Sequence, residues 1–156
     1  EQDGLGQANT LQALGDLESR LGRPDEARRL YEQALELFVK EQDGLGQANT
    51  LKALGDLLKA TSAFLEAMDL YLRALALYER EQEPMGTAYT LAELACCQHA
   101  CGDPAGRDST LRAAFAAAAA ANVESVLGYV VGVLKEVTGS EAEAREWLER
   151  HLGSDT

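Results

Sequence analysis

The side chains of this sequence best suited to chemistry lie in one six-residue stretch, CCQHAC, at residues 96–101. Cys97 and Cys101 are four residues apart and would share one face of a helix, with His99 close by. Thiolates and imidazoles are typical zinc ligands. A tetrahedral zinc site needs four converging ligands, and one straight helix cannot supply them because Cys96 and His99 lie off the shared face. Metal binding is therefore not expected here.

A cysteine nucleophile that uses His99 as its base is also disfavoured. Residues three apart on an exposed helix lack a third group to orient the base and a pocket to exclude water. Cys97 occupies the position that holds Leu17 and Leu57 earlier in the chain, so we expect it in the hydrophobic core. The chain also has no glycine-rich phosphate loop, serine elbow or paired-carboxylate cleft. The sequence therefore predicts no enzyme and no cofactor.

The elements that carry these residues belong to a repeat. The eleven residues EQDGLGQANTL occupy positions 1–11 and again 41–51, and residues 1–40 match residues 41–80 at 23 of 40 positions without a gap. A period of 20–50 residues is typical of stacked repeat arrays. Within each unit, apolar residues recur at three- and four-residue spacing in two separate stretches, which indicates two amphipathic helices.

Turn and cap residues predict where these helices begin and end. Gly22 can adopt the left-handed conformation that ends a helix, and Pro24 suits the opening turn of the next one. Pro84 is tolerated only in a first turn, which places the start of the first helix of each unit near residues 4, 44 and 84. Acidic residues that can cap these helices precede them: Asp3, Asp43 and Glu83. The predicted helices are 4–21, 24–41, 44–61, 64–81, 84–101, 104–121, 123–138 and 140–152.

Small and aromatic residues recur at matched places in these units and resemble tetratricopeptide repeats, in the forty-residue form of the Pins/LGN class of scaffold. The first unit carries the motif at Leu14, Gly15, Gly22, Ala27, Tyr31 and Ala34, and the second at Leu54, Gly55, Ala67, Tyr71 and Ala74. Ser62 replaces the turn glycine of the second unit, and two later units match more weakly. The fourth unit reads Val131, Gly132, Gly139, Ala144 and Leu148.

The resemblance implies an all-α fold, a right-handed superhelical solenoid of about four helix-turn-helix units. We expect a single array over residues 1–152, with units at 1–40, 41–80, 81–122 and 123–152, and a C-terminal tail at 153–156. In such arrays, glycine and alanine allow the two helices of a unit to cross closely. The alanine-rich second helix of the third unit is therefore expected to be thin or to leave apolar surface open.

The resemblance also implies a scaffold or adaptor that binds a partner peptide or helical segment in a concave groove lined by the first helices. The groove positions are Asn9, Gln12, Asp16, Arg20, Asn49, Lys52, Asp56, Lys59, Tyr89, His99 and Tyr129. Asn9, Asp16, Asn49 and Asp56 recur identically and form a polar ladder that can bind an extended or helical peptide. Recent tandem duplication also explains why these stretches are identical.

The charge of the chain limits the classes of partner. The 26 acidic and 14 basic residues give a net charge of −12, which disfavours nucleic acid and anionic membranes because phosphate binding needs clustered Lys and Arg. Repeats of this family that bind a peptide carboxylate need Lys and Asn at particular groove positions, where this chain has Gln12, Asp16, Lys52 and Asp56. The two aspartates disfavour a peptide carboxylate as the ligand. A partner with basic residues is therefore predicted.

The three cysteines are too few and too close for a disulfide framework, so a reducing compartment, the cytoplasm, is expected. The sequence starts within a repeat and without a methionine. We therefore expect a segment of a longer protein, in which targeting signals can lie outside the segment.

An alternative function is an oligomerisation or autoregulatory module that packs through exposed ends of the array. Leu5, Leu11 and Leu14 lie in a unit with no preceding neighbour, and apolar residues without a neighbour tend to find one. The sequence therefore predicts self-association through the N-terminal face.

Overall fold

The regular secondary structure of residues 3–153, which a computed structural model describes, consists entirely of α-helices. The helices are α1 (Gly4–Arg20), α2 (Pro24–Lys40), α3 (Gly44–Ala60), α4 (Phe64–Arg80), α5 (Pro84–Ala100), α6 (Pro104–Ala121), α7 (Glu124–Thr138) and α8 (Glu141–Leu152). The prediction of an all-α fold with eight helices is confirmed, and each boundary agrees to within one residue. The predicted tail at 153–156 lies outside the described residues except for Gly153.

Acidic caps fix the start of several helices. Asp3, Asp43, Glu83 and Asp103 each accept a hydrogen bond from the main-chain amide of the glycine three residues later. These bonds satisfy amides that have no partner inside the helix. The predicted caps are confirmed, and glutamate performs the same role at the start of α5 as aspartate does at the starts of α1 and α3.

Left-handed residues form the turn between the two helices of each unit. Gly22, Gly102 and Gly139 have φ values of +70°, +74° and +92°. Ser62 takes the same conformation, with φ +62°, although a side chain makes this backbone less favourable. Ser62 therefore keeps the left-handed turn conformation although the motif glycine is absent from the second unit.

Residues 3–82 form one compact half of the molecule. Within it, α1 pairs with α2, α3 pairs with α4, and α2 also packs against α3. Tyr31 of α2 is buried with Leu54 and Leu57 of α3, so this tyrosine fills the space between the first and second units. Phe38, also on α2, is buried against Ala8 of α1.

Glycines of the motif allow the buried tyrosines to approach the first helices. A Cβ atom built at Gly15 would lie 2.6 Å from Cε1 of Tyr31, and one at Gly55 would lie 2.6 Å from Cε1 of Tyr71. These distances are shorter than real carbon contacts, so only a residue without a side chain fits beside each ring. Close helix crossing at these two glycines is thus confirmed.

Residues 83–153 form the second compact half, with its own core of α5–α8. Leu111, Phe115, Leu134 and Trp147 are buried together there. Cys97 is fully buried, as its leucine-like position predicts.

One face of the alanine-rich helix α6 is buried in the core and another face is exposed to solvent. Ala114 and Ala118 are buried in the core, whereas Ala116 and Ala120 are exposed. Both parts of the expectation for this helix, a closely packed face and an open apolar one, are therefore met. None of the helices within residues 3–153 is long and apolar enough to cross a membrane.

The prediction that motif glycines allow close helix crossing is wrong at Gly132. It stands at the position of Gly15 in the fourth unit, but no side chain or distant backbone atom lies within 4 Å of the Cβ position. The aromatic position of that unit holds Leu148 rather than tyrosine, so no ring lies against the glycine.

Gly15→Ala and Gly132→Ala are therefore expected to change stability in opposite directions. At position 15 the new methyl group forces the buried Tyr31 ring to move, and such overpacking costs about 1–3 kcal/mol. At position 132 the methyl group meets open space, and the better helix propensity of alanine adds about 0.5–1 kcal/mol. Urea unfolding followed by circular dichroism measures both changes. Shifts of the same sign in the two variants would contradict this account of the motif.

Candidate functional site

A surface cleft of about 450 Å³ lies in the N-terminal half, between α1, α2 and α3. Its lining residues are Asp16, Ser19, Arg20, Tyr31, Ala53 and Asp56. Three of the predicted groove residues, Asp16, Arg20 and Asp56, therefore line one cleft. Its volume is within the range of ordinary ligand sites, and it is large enough for one long side chain of a partner.

Each aspartate of this cleft accepts a hydrogen bond from the buried tyrosine of its own unit. The hydroxyl of Tyr31 donates to Oδ1 of Asp16 at 2.7 Å, and that of Tyr71 donates to Oδ1 of Asp56 at 2.6 Å. Bonds to a charged acceptor are stronger than neutral ones, and they orient the carboxylates. The two aspartates are therefore held in place by the core rather than free on the surface.

The two carboxylates also set the electrostatic environment of Tyr31. Burial raises the pKa of the Tyr31 hydroxyl above its usual range, and the hydrogen bond to Asp16 raises it further. The negative charges of Asp16 and Asp56 act in the same direction, whereas the positive charge of Arg20 opposes them. Two carboxylates therefore raise the pKa of this hydroxyl, and one guanidinium lowers it.

The two aspartates differ in the cations around them. Nζ of Lys52 lies 2.8 Å from Oδ2 of Asp56, one turn away on α3. Among residues 3–153, Asp16 has no salt bridge, because Arg20 donates instead to the main-chain carbonyl oxygen of Asp16 at 3.4 Å. The position of Lys52 is held by Gln12 in the first unit, the one difference between the repeated stretches 1–17 and 41–57. Asp16 is therefore the less neutralised carboxylate.

The predicted asparagine rungs of the ladder lie away from this cleft. Asn49 accepts a hydrogen bond from the Tyr78 hydroxyl at 2.6 Å. Asn9 is exposed, and the position of Tyr78 is held in the first unit by Phe38, which carries no hydroxyl. Of the two pairs in the predicted ladder, Asp16 and Asp56 therefore repeat a hydrogen bond with a tyrosine of their own unit, and that pair lines the cleft. Lys59 is half-buried in the last turn of α3 and does not line the cleft.

The C-terminal half brings together two of its predicted site residues. The rings of Tyr89 and Tyr129 meet edge to face, with centroids 4.9 Å apart. The Tyr129 hydroxyl donates to a carboxylate oxygen of Glu93, which is buried. Such aromatic pairs add to the stability of the helices that carry them, here α5 and α7.

His99 lies in a separate cleft of about 400 Å³, lined in part by Arg107, Trp147 and Arg150. Nδ1 of His99 lies 3.3 Å from a guanidinium nitrogen of Arg107. The groove residues of this half are thus divided between two places. Over the described part of the chain, no group of three or more His, Cys, Asp and Glu residues could hold a metal ion.

The sequence predictions did not include Tyr31 among the site residues. The sequence identifies it only as a residue of the repeat motif, yet it lines the cleft. A signal was present, because a tyrosine follows each groove aspartate by fifteen residues in both units: Asp16 with Tyr31, and Asp56 with Tyr71. Residues fifteen apart can come into contact when they lie on two antiparallel helices joined by a short turn. The recurrence of this aspartate–tyrosine spacing in both units therefore indicates a contact between the two side chains.

Comparisons with known proteins agree with this architecture. Residues 6–80, just under half of the 156 residues, match the tetratricopeptide repeat family model. No curated protein sequence matches the chain. The family match over residues 6–80 and the structural neighbours described next show similarity to tetratricopeptide repeat proteins, whose fold generally mediates interactions between proteins.

Two solved structures share the fold. The TPR domain of Arabidopsis FLU has a TM-score of 0.68 at 22% identity, and the match covers 72% of this chain and 95% of that one. BtubC (BKLC) from P. vanneervenii has a TM-score of 0.77 at 20% identity, and the match covers 97% of this chain and 64% of that one. Proteins of this family are typically non-enzymatic scaffolds.

Stability at alkaline pH is expected to report the environment of Tyr31. Because the pKa of this hydroxyl is raised in the folded state, its contribution to stability is fully present below the usual tyrosine pKa of about 10. The contribution is lost as the pH rises above that value toward the folded pKa. The free energy of unfolding should therefore fall more steeply above about pH 10 in the native sequence than in Tyr31→Phe. Urea titrations at several pH values measure this, and equal slopes would contradict the assignment.

Proposed function

We propose that the chain is a protein-interaction scaffold whose N-terminal half holds a basic side chain of a partner peptide in the cleft of Asp16, Tyr31 and Asp56. The observation that carries this proposal is the pair of carboxylates held in one cleft by buried tyrosine hydroxyls. Groups that are already fixed lose little entropy when a ligand binds. The forty-residue units also favour the Pins/LGN class of scaffold.

Charge supports a cationic rather than an anionic ligand. The chain has a net charge of −12, so a basic peptide is attracted over a distance as well as in the cleft. Lysine or arginine can donate to the carboxylate oxygens, and the apolar stem of either side chain can lie along Ala53 and the Tyr31 ring. A peptide carboxylate would instead meet two negative charges.

Asp16 is expected to contribute more to binding than Asp56. Lys52 already neutralises part of Asp56, whereas no salt bridge within the described residues competes for Asp16. This asymmetry replaces the equal four-rung ladder of Asn9, Asp16, Asn49 and Asp56 that the sequence predicts. The cleft therefore has one dominant carboxylate.

Asp16→Asn should accordingly weaken binding of an arginine-containing peptide by about 1–2 kcal/mol, or about 5- to 30-fold, with a smaller loss for Asp56→Asn. The asparagine oxygen still accepts the tyrosine hydroxyl, so the fold is retained. Isothermal titration at low salt, where surface charges are least screened, measures the change. A peptide with citrulline in place of arginine has the same shape without the charge.

Glu32→Gln with Glu36→Gln provides the matched control, because it removes two exposed charges of α2 outside the cleft. This control variant should bind the arginine peptide nearly as well as the native protein. Equal affinity for the arginine and citrulline peptides, or equal losses in the control and Asp16→Asn, would contradict the proposed site.

A second candidate function is assembly, and one feature of α4 favours it. Leu65 and Leu72 are 74% and 56% exposed and lie seven residues apart on one helix face. The matching positions of α2 hold the charged residues Asp25 and Glu32. This apolar surface on the side of the second unit adds to the exposed Leu5 and Leu14 at the N-terminal end of the array, where the sequence predicts open apolar residues.

If this surface drives self-association, Leu65→Asp with Leu72→Glu should convert a concentration-dependent oligomer to a monomer. The two new residues are those of the first unit, so the helix tolerates them. Sedimentation velocity at several concentrations makes the measurement. A monomeric native chain at the highest concentrations would rule out assembly through this face.

A further inference from the structure

The repeated stretches of α1 and α3 differ at one position, and that position lies beside the cleft. Residues 1–17 and 41–57 are identical except that Gln12 is replaced by Lys52. In each helix the carboxylate of the cleft follows four residues later, as Asp16 and Asp56. Residues four apart lie on one helix face, one turn from each other. The single difference between the two stretches is therefore next to the two carboxylates.

On α3, an internal cation occupies the carboxylate. Tyr71 donates to Oδ1 of Asp56 at 2.6 Å, and Nζ of Lys52 lies 2.8 Å from Oδ2. The Lys52 side chain is only 24% exposed, so solvent screens this ion pair less than one on the open surface. Both oxygens of Asp56 therefore have a partner before any ligand binds.

On α1, glutamine leaves the matching carboxylate without a cation. The Gln12 side chain is uncharged, and its Oε1 lies 3.4 Å from the hydroxyl of Thr50 on α3. Tyr31 donates to Oδ1 of Asp16, and within residues 3–153 no side chain forms a salt bridge with this aspartate. An incoming cation can therefore bind Oδ2 of Asp16 without displacing an ion pair.

Lys52 also decides the balance of charge at the cleft. The lining includes two carboxylates and one guanidinium, that of Arg20. Lys52 is not part of the lining, but its ammonium group neutralises one of the carboxylates. The two carboxylates and two cations together have no net charge, and without Lys52 they would have one net negative charge. One side chain therefore controls how strongly the cleft attracts a further cation.

We propose that Lys52 is a specificity-determining residue of the cleft: it holds Asp56 as an internal cation, so that the cleft takes one basic side chain and gains little from a second. This inference rests on the proposed function, because it concerns the same cleft. A second arginine or lysine of a ligand has to displace Lys52 from Asp56 and meets its positive charge. The partner class is thus a peptide with a single basic anchor rather than a dibasic one.

Two reciprocal substitutions test this inference, because each unit supplies the natural residue for the other. Lys52→Gln gives α3 the residue of α1, and Gln12→Lys gives α1 the residue of α3. Lysine and glutamine have similar helix propensities, and each is already present at this position of a neighbouring unit. Both variants should therefore fold, which circular dichroism and thermal melting verify.

The probes are capped, alanine-rich peptides that contain one arginine, or two arginines separated by zero to about three alanines. Isothermal titration at low salt gives the affinities, since surface charges are then least screened. In the native chain, the second arginine should improve affinity by no more than about twofold at every spacing. In Lys52→Gln, it should improve affinity about fivefold or more at the spacing that reaches both carboxylates.

Gln12→Lys should have the opposite effect on the first carboxylate. It should weaken binding of the peptide with one arginine about fivefold, because the new ammonium group can reach Asp16 as Lys52 reaches Asp56. The matched controls are Lys40→Gln and Gln7→Lys, which change the net charge by the same amounts at exposed positions outside the cleft. Each control should bind both kinds of peptide nearly as the native chain does.

The outcomes separate this inference from the proposed function. Equal gains from the second arginine in the native chain and in Lys52→Gln would overturn the role of Lys52 and leave the cleft intact. Equal changes in Lys52→Gln and Lys40→Gln would also overturn it, because net charge alone would then explain them. A native chain that does not bind the peptide with one arginine overturns the proposed function. Binding by Lys52→Gln alone would then still support Lys52 as the blocking cation, whereas binding by neither chain overturns both.

Discussion

The contact between a buried tyrosine ring and a side-chain-free position on the preceding helix organises the N-terminal half. Tyr31 rests on Gly15 and Tyr71 rests on Gly55, and in each unit the hydroxyl reaches the next carboxylate along the same helix. A single residue therefore fixes how closely two helices cross, fills the space toward the next unit and orients a surface charge. Packing and the candidate site depend on one interaction, so they cannot change independently.

The fold was predictable because its signals are local and repeated. Proline, glycine and acidic caps mark helix ends through backbone geometry alone, and the forty-residue period makes each signal visible twice. The site was predictable only in part. Sequence spacing placed Asp16 and Asp56 on the correct helix face, but it treated them as free surface groups. Their attachment to the core depends on a tyrosine fifteen residues away, which becomes visible only when the two helices are paired in space.

The asparagine pair shows why identity in sequence does not imply identity of role. Asn9 and Asn49 are the same residue in the same local context, yet the position that holds Tyr78 in the second unit holds Phe38 in the first. The Tyr78 hydroxyl donates to the Asn49 side chain, and phenylalanine has no hydroxyl that could do the same. Gly132 makes the same point in the C-terminal half, where the motif residue remains although the ring that required it is absent.

The near-identity of α1 and α3 has a further consequence for measurements on this chain. The intrinsic rate at which a main-chain amide exchanges its hydrogen with water depends on the neighbouring side chains, and these are the same around Leu14 and Leu54. Any difference in exchange between the two amides therefore arises from opening of tertiary structure alone. Each of the two helices therefore serves as a reference for the other. The free energy of local opening of α1 can be compared with that of α3, which has nearly the same sequence in another environment.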